Sequence, residues 1–169
     1  MQILHMGPLA MNDHLVAPSA VKSRISKFTP NELDAGGIEK QIEDHVNCAL
    51  LAQKAGYDGV EIIGSAGYLI STFLVEKTNM RTDEYGGSYE NRMRFALEVV
   101  RRCRAAVGDD FIIIFRIAGM DMLEGGMSWD EVALLARELE KVGASVISTH
   151  FTWHESAVPT IATMVPRAA

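Results

Sequence analysis

The sequence predicts an α/β fold in which helices wrap a parallel sheet, the plan of β/α barrels. Three observations carry that prediction. Short apolar runs alternate along the chain with amphipathic stretches, and such alternation builds a parallel sheet through right-handed crossovers. The clearest run, Phe111-Ile112-Ile113-Ile114-Phe115, is apolar at every position, as a parallel strand covered on both faces requires. Four polar residues, Gln2, Tyr68, Arg116 and His154, each lie at or just past the end of such a run. A parallel barrel points all its strand ends at one face, so residues spread along the chain can converge there on one small molecule.

The first predicted strand is Gln2-Ile3-Leu4-His5. Residues 6–28 are rich in Pro, Ser, Asn and Asp without a steady period, which predicts a long loop containing Ala17-Pro18-Ser19-Ala20. Thr29-Pro30-Asn31-Glu32 has the form of a helix start, with Thr29 as N-cap, Pro30 at the first helical position and Glu32 completing a capping box. A helix over 38–55 follows, with Ile38, Ile42, Val46, Ala49, Leu50 and Ala52 as its stripe and Gly56 as its stop. Residues 57–63 form the second strand, and Gly64-Ser65-Ala66-Gly67 breaks it so that Tyr68 falls in a strand-to-helix loop. After a polar stretch at 79–87, Ser88 caps a helix in which Met93, Leu97, Val100 and Ala105 share a face, ending at Gly108. The strand over 111–115 runs into Arg116. Ser128 then caps a helix over 129–142, Gly143 stops it, and residues 145–149 make the fourth strand ahead of a loop carrying His154. Four strands are half of what a closed barrel of this type needs. With no repeat, linker or low-complexity tract, the chain reads as one domain or part of one.

Composition narrows the function classes. The chain has 169 residues, 48 % of them hydrophobic and 22 % charged, with a mean hydropathy of +0.07, which is enough apolar material for a core. A net charge of -6 and a pI near 5.3 leave no basic footprint for nucleic acid or an anionic membrane, so a small molecule is the expected partner. No apolar run approaches the roughly 20 residues of a membrane span, and no secretory leader is recognisable, which predicts a soluble, intracellular protein, cytoplasmic or organellar. Cys48 and Cys103 are far apart within predicted helices and read as reduced, buried thiols. His5, His14 and His45 lack metal-ligand spacing, and no metal site is expected.

The run Ala55-Gly56-Tyr57-Asp58-Gly59-Val60-Glu61-Ile62, then Gly67-Tyr68-Leu69-Ile70, Phe73-Leu74 and Asn79-Met80-Arg81-Thr82-Asp83-Glu84-Tyr85-Gly86-Gly87-Ser88-Tyr89-Glu90-Asn91-Arg92 resembles the signature of the Old Yellow Enzyme family of flavin oxidoreductases. Within it, Phe111-Ile112-Ile113-Ile114-Phe115-Arg116 and Trp153-His154-Glu155, with Pro159-Thr160-Ile161-Ala162, resemble the flavin domain of bacterial-type 2,4-dienoyl-CoA reductase. The resemblance implies an FMN-binding (β/α)8 TIM barrel, of which residues 1–169 hold about the third to sixth strands, and NAD(P)H as electron donor. It also implies that FAD and an iron-sulfur cluster, through which multidomain relatives pass electrons from NADPH, belong to parts outside this chain, as does the FMN phosphate site.

The same resemblance implies roles for single residues. A guanidinium at the end of an apolar run needs an anion or acceptor facing it, and Arg116 would stabilise the negative charge that gathers on a reduced flavin; the alternative is a structural salt bridge to a loop carboxylate. Gln2, both donor and acceptor, would pair with the pyrimidine edge of FMN, although an isolated Gln specifies nothing by itself. Tyr68 would protonate the carbon next to the one that receives hydride, and His154 would work with it. The His and Asn that typical members place just upstream of this tyrosine are Ile63 and Ala66 here, which favours the dienoyl-CoA reductase branch over a general ene-reductase. Lys77 and Glu155, with His154, would face an enoyl-CoA thioester; Lys77 also reads as a solvated lysine. His150 stands where relatives carry a small residue, and Pro8 where an Arg is usual. Arg81, Asp83, Glu84, Arg92 and Arg94 read as an ion-pair scaffold around Tyr85-Gly86-Gly87 rather than as chemistry. Half a barrel also leaves open strand edges, so self-association, or an inactive fragment of a flavoenzyme, is the competing expectation.

Overall fold

The computed structural model describes residues 1–156. Its elements are β1 (Gln2–Ile3), β2 (Val16–Ala17), β3 (Asn31–Glu32), α1 (Ala35–Lys54), β4 (Gly59–Gly64), α2 (Leu69–Leu74), α3 (Tyr89–Val107), β5 (Ile112–Met120), α4 (Trp129–Lys141) and β6 (Val146–Phe151). Strands β1, β4, β5 and β6 form one parallel sheet, hydrogen-bonded in that order. The alternation of apolar runs and amphipathic stretches thus becomes the expected α/β layer. Pro159-Thr160-Ile161-Ala162 lies outside the described residues.

Local signals set most helix starts. The Ser128 hydroxyl accepts from the Glu131 N–H at 3.2 Å while Glu131 accepts from the Ser128 N–H at 2.8 Å, a complete capping box for α4. Ser88 caps α3 through the Asn91 N–H. The predicted start at Thr29 does not form. Asn31 and Glu32 are instead a strand, held to the preceding loop by Asn31 N–H donating to the Leu15 carbonyl at 2.8 Å and Leu33 N–H to the Ala17 carbonyl at 3.0 Å. Helix α1 begins after Asp34, whose carboxylate accepts from the Gly37 N–H at 2.6 Å.

The core lies on one side of the sheet. Val60 and Ile62 of β4 and Ile113, Phe115 and Ile117 of β5 are at most 1 % exposed and belong to one apolar cluster with residues of α1, α3 and α4. Phe73 of α2 stacks on Phe95 of α3 with centroids 4.2 Å apart. The other face mixes polar and apolar residues and is open at one end among the described residues: Ile112 and Val146 are 44 % and 49 % exposed, whereas Ile63 and Ala118 are buried. The run 111–115 is therefore covered on one face here, not both. Strand β5 also continues to Met120 beyond a bulge, so Arg116 sits inside a strand rather than at its end. Three smaller expectations change with the packing. Leu50 is 38 % exposed because Gln41 and His45 join Ile38, Ile42, Ala49 and Ala52 on the buried side of α1. Ala105 faces solvent, and the stripe of α3 runs through Met93, Ala96, Val100, Cys103 and Val107. Cys103 is buried as expected, but Cys48 is exposed.

Candidate active site

Two loops after parallel strands bring Tyr68 and His154 together. Tyr68 is the N-cap residue of α2, and the backbone around it is tied from several directions. Leu69 N–H donates to the His5 carbonyl at 3.1 Å, and the Ser71 hydroxyl donates to the Ser65 carbonyl at 3.1 Å while accepting from Gly67 N–H at 3.0 Å. The second loop is bonded to the first: Ala66 and Trp153 form a parallel bridge, and His154 N–H donates to the Ala66 carbonyl at 3.2 Å. Gly67 has φ +92°, and a Cβ there would lie 2.8 Å from the Trp153 indole, so the approach of the two loops requires glycine. Ala66 (φ 67°) and Thr152 (φ 101°) take left-handed backbone without being glycine, and both are buried. Strain of this kind costs of order 1–3 kcal/mol per residue and persists only where surrounding contacts hold it. The result is a phenol against an imidazole: Tyr68 Oη and His154 Nε2 are 2.7 Å apart, with the rings edge-to-face at 4.9 Å.

The face of the sheet opposite the core holds a second group. Arg116 forms a fork on Glu61, Nε to Oε1 and Nη2 to Oε2, both at 2.9 Å. Gln2 Nε2 donates to Glu61 Oε2 at 2.6 Å, and the Ser148 hydroxyl donates to Oε1 at 2.8 Å. Burial pushes the Glu61 carboxyl up, but the bonds from Gln2, Ser148 and Arg116 outweigh it and hold the carboxyl below its ordinary value. The salt bridge that sequence offered as the alternative for Arg116 does exist, with a strand carboxylate rather than a loop one. It leaves Arg116 about one-third exposed and able to meet another acceptor. Next along β6, the buried Nε2 of His150 has no hydrogen-bond partner, and burial, then the charges of Arg116 and His154, lower its pKa. Gln2 and Arg116 thus come together, and His150 stands within electrostatic reach of both Arg116 and the Tyr68–His154 pair. As hydrogen-bonding chemistry, an amide with its carbonyl oxygen free, a guanidinium and an orphaned ring nitrogen fit the carbonyl- and nitrogen-bearing pyrimidine end of the FMN that the resemblance implies.

Lys77 and Glu155 lie apart from that face, in a cleft of about 370 Å3 that Lys22, Arg24, Gly67 and Trp153 also line. The Glu155 carboxylate is already engaged: Oε1 accepts from the Arg24 N–H at 2.5 Å and Oε2 from the Trp153 indole at 3.1 Å. It therefore ties the 18–26 loop to the loop after β6. A more apolar groove, lined by Met6, Leu9, Met11, Ile25 and Phe28, includes His154 in its wall.

The charged motif is a scaffold, though a different one from that expected. Arg81, 7 % exposed, pairs with Asp83 and donates to the Pro18 and Leu33 carbonyls at 2.8 and 2.6 Å. Arg92 reaches out of the motif to Glu131 of α4 at 2.6 Å, and Arg94 bonds the backbone carbonyl of Glu84 rather than its carboxylate. Sequence reasoning passed over Glu61, although its place between Val60 and Ile62 in a half-buried strand already put it on the face opposite the core. Among the described residues, no three His, Cys, Asp or Glu gather as a metal site would need, and no helix is long and apolar enough to cross a membrane.

Comparison with known proteins agrees with the fold and the motifs. The model of the NADH:flavin oxidoreductase / NADH oxidase family matches residues 2–169. A metal reductase of Desulforamulus reducens is 46 % identical over 91 % of this chain and 23 % of its own length. An NADH oxidase of Thermoanaerobacter brockii is 42 % identical over 86 % of this chain and 22 % of its own length. The solved structure of 2-naphthoyl-CoA reductase with 2-naphthoyl-CoA superposes with a TM-score of 0.84 at 34 % identity, covering 91 % of this chain and 26 % of that one. The chain thus spans about a quarter of these relatives, and its sheet is part of the barrel of Old Yellow Enzyme-type proteins. It belongs to the NADH:flavin oxidoreductase / NADH oxidase family.

Proposed function

We propose that this chain is part of an FMN-binding barrel domain, spanning residues 1–169, of an NAD(P)H-dependent oxidoreductase that reduces an activated C=C bond. The 2.7 Å contact between Tyr68 and His154 carries the proposal. Bound FMN would supply hydride originating from the nicotinamide cofactor. The chain's own residues would supply the proton and the grip. The Tyr68 phenol donates its proton to the carbon beside the one that gains hydride, while His154, bonded to the same oxygen, orients the phenol and balances the charge left on it. Gln2 and Arg116 hold the pyrimidine end of the flavin.

A 2,4-dienoyl-CoA, or another enoyl-CoA thioester, is the proposed substrate. The apolar groove beside His154 suits an acyl chain, and Lys22 and Lys77 in the cleft beside Trp153 suit the phosphates of a CoA group. Ile63 and Ala66, in place of the His and Asn that grip an enone oxygen in the resembled family, support the same choice. FAD and an iron-sulfur cluster would serve only as electron carriers in other parts of a longer protein.

The test is NAD(P)H-dependent turnover in the presence of FMN, comparing a dienoyl-CoA with a simple cyclic enone. Faster turnover of the thioester, with Tyr68→Phe and His154→Ala each lowering the rate by about 10²–10⁴ at unchanged FMN affinity, is the expected result. Preference for the enone would favour a general ene-reductase, and full activity of both variants would remove the proton-transfer role.

A further inference from the structure

The proton-transfer chemistry leaves Glu61 without a role, yet side chains from three neighbouring or next-neighbouring strands donate to it. Gln2 stands directly opposite it across β1 and β4, and Arg116 stands opposite Ser148 across β5 and β6. Oε1 accepts from Arg116 and Ser148 and Oε2 from Arg116 and Gln2, which uses the roughly four acceptor positions of a carboxylate. The Glu61 side chain is 14 % exposed against 32 % for Arg116, so the carboxylate is the less accessible member of the pair and the guanidinium the one more open to a ligand.

Two consequences follow for anything that binds this face. A two-bond fork fixes the plane of the guanidinium, which one bond or a bare charge would leave free to turn. A carboxylate can only accept, so it must meet the amide nitrogen of Gln2, and the Gln2 carbonyl oxygen is left for a ligand's N–H. The charge of Glu61 also offsets that of Arg116, so a bound group meets a compensated pair instead of a full cation.

We propose that Glu61 is a positioning residue of the flavin site, fixing the ligand-facing ends of Gln2 and Arg116 and tempering the positive charge that Arg116 presents to FMN. This rests on the flavin reading above. Removing the carboxylate charge should favour the reduced flavin, on which negative charge gathers, whereas shortening the side chain should spoil alignment and keep the charge.

The experiment measures FMN dissociation constants by fluorescence quenching, the midpoint potential of the bound flavin, and thermal unfolding, for the wild-type chain, Glu61→Gln and Glu61→Asp. Glu61→Gln should favour reduced over oxidised FMN by about tenfold more than wild type, a positive shift of about 30 mV for a two-electron couple. Glu61→Asp should weaken FMN binding about tenfold without that positive shift. If wild type binds FMN and both variants match it in affinity and potential, whatever their melting temperatures, Glu61 is structural only and the inference falls while the flavin reading stands. A wild-type chain that binds no FMN overturns the flavin reading and this inference with it.

Discussion

Replacing Arg81 by methionine removes a guanidinium that donates to both carboxylate oxygens of Asp83 and to the carbonyls of Pro18 and Leu33, from a side chain 7 % exposed. Asp83 is 37 % exposed and can be rehydrated, so its loss contributes little. The two carbonyls are different. They belong to segments folded under the 79–87 loop, Leu33 itself is buried, and each would lose a charged donor at about 1–3 kcal/mol. Methionine retains most of the apolar stem, which limits the packing loss. A destabilisation of about 3 kcal/mol follows, equivalent to a melting temperature lower by about 6–12 °C in a domain of this size. Urea unfolding followed by far-ultraviolet circular dichroism measures it, and the m-value should stay constant if the same surface is exposed. The bond from Arg81 also holds the Asp83 carboxyl below its ordinary value. That stability is present above the unfolded carboxylate pKa and is lost as pH falls through the lower folded value, so wild type should lose a stabilisation on acidification that the variant lacks. A loss under about 1 kcal/mol, with identical acid limbs, would refute the view that this fork anchors the loops.

Other outcomes follow from single contacts. Gly64→Ala would put a Cβ 2.2 Å from the Phe115 ring, so it should destabilise by about 1–3 kcal/mol, and adding Phe115→Leu should recover much of that in thermal unfolding. Burial pushes the Asp121 carboxyl up to about 6, so the folded state prefers it protonated and stability falls as pH rises from about 4 to about 6. Asp121→Asn should accordingly be more stable than wild type at pH 7, by on the order of 2–3 kcal/mol, with the difference vanishing below about pH 4. A thiol reagent should label exposed Cys48 in the folded protein and spare buried Cys103, whose thiol burial pushes up to about 12; mass spectrometry before and after unfolding checks this.

What sequence revealed was local. Ser88 and Ser128 cap helices where their spacing said they would, because a cap needs only its own next three residues. Thr29-Pro30-Asn31-Glu32 carried an equally good local signal and failed, because Leu15 and Ala17 offered backbone partners from an earlier segment that no short window contains. The Tyr68–His154 pair was legible through family motifs, whereas composition and periodicity give no reason for residues 86 positions apart to touch. Glu61 was hidden for a related reason. Its meaning lies in register, with Gln2 opposite and Arg116 one strand over, and register depends on crossovers rather than on neighbours in sequence. The strain at Ala66 and Thr152 was likewise invisible, since neither residue type announces a left-handed backbone.

The most direct measurement is a titration of the chain with FMN, following flavin fluorescence and stoichiometry, for wild type and Arg116→Lys. Saturable binding of one FMN per chain, weakened about tenfold when the two-bond guanidinium fork becomes a single ammonium, is the result that the arrangement of Gln2, Glu61 and Arg116 predicts. Absence of saturable binding, or equal affinity in the variant, would contradict a flavin site on this face of the sheet.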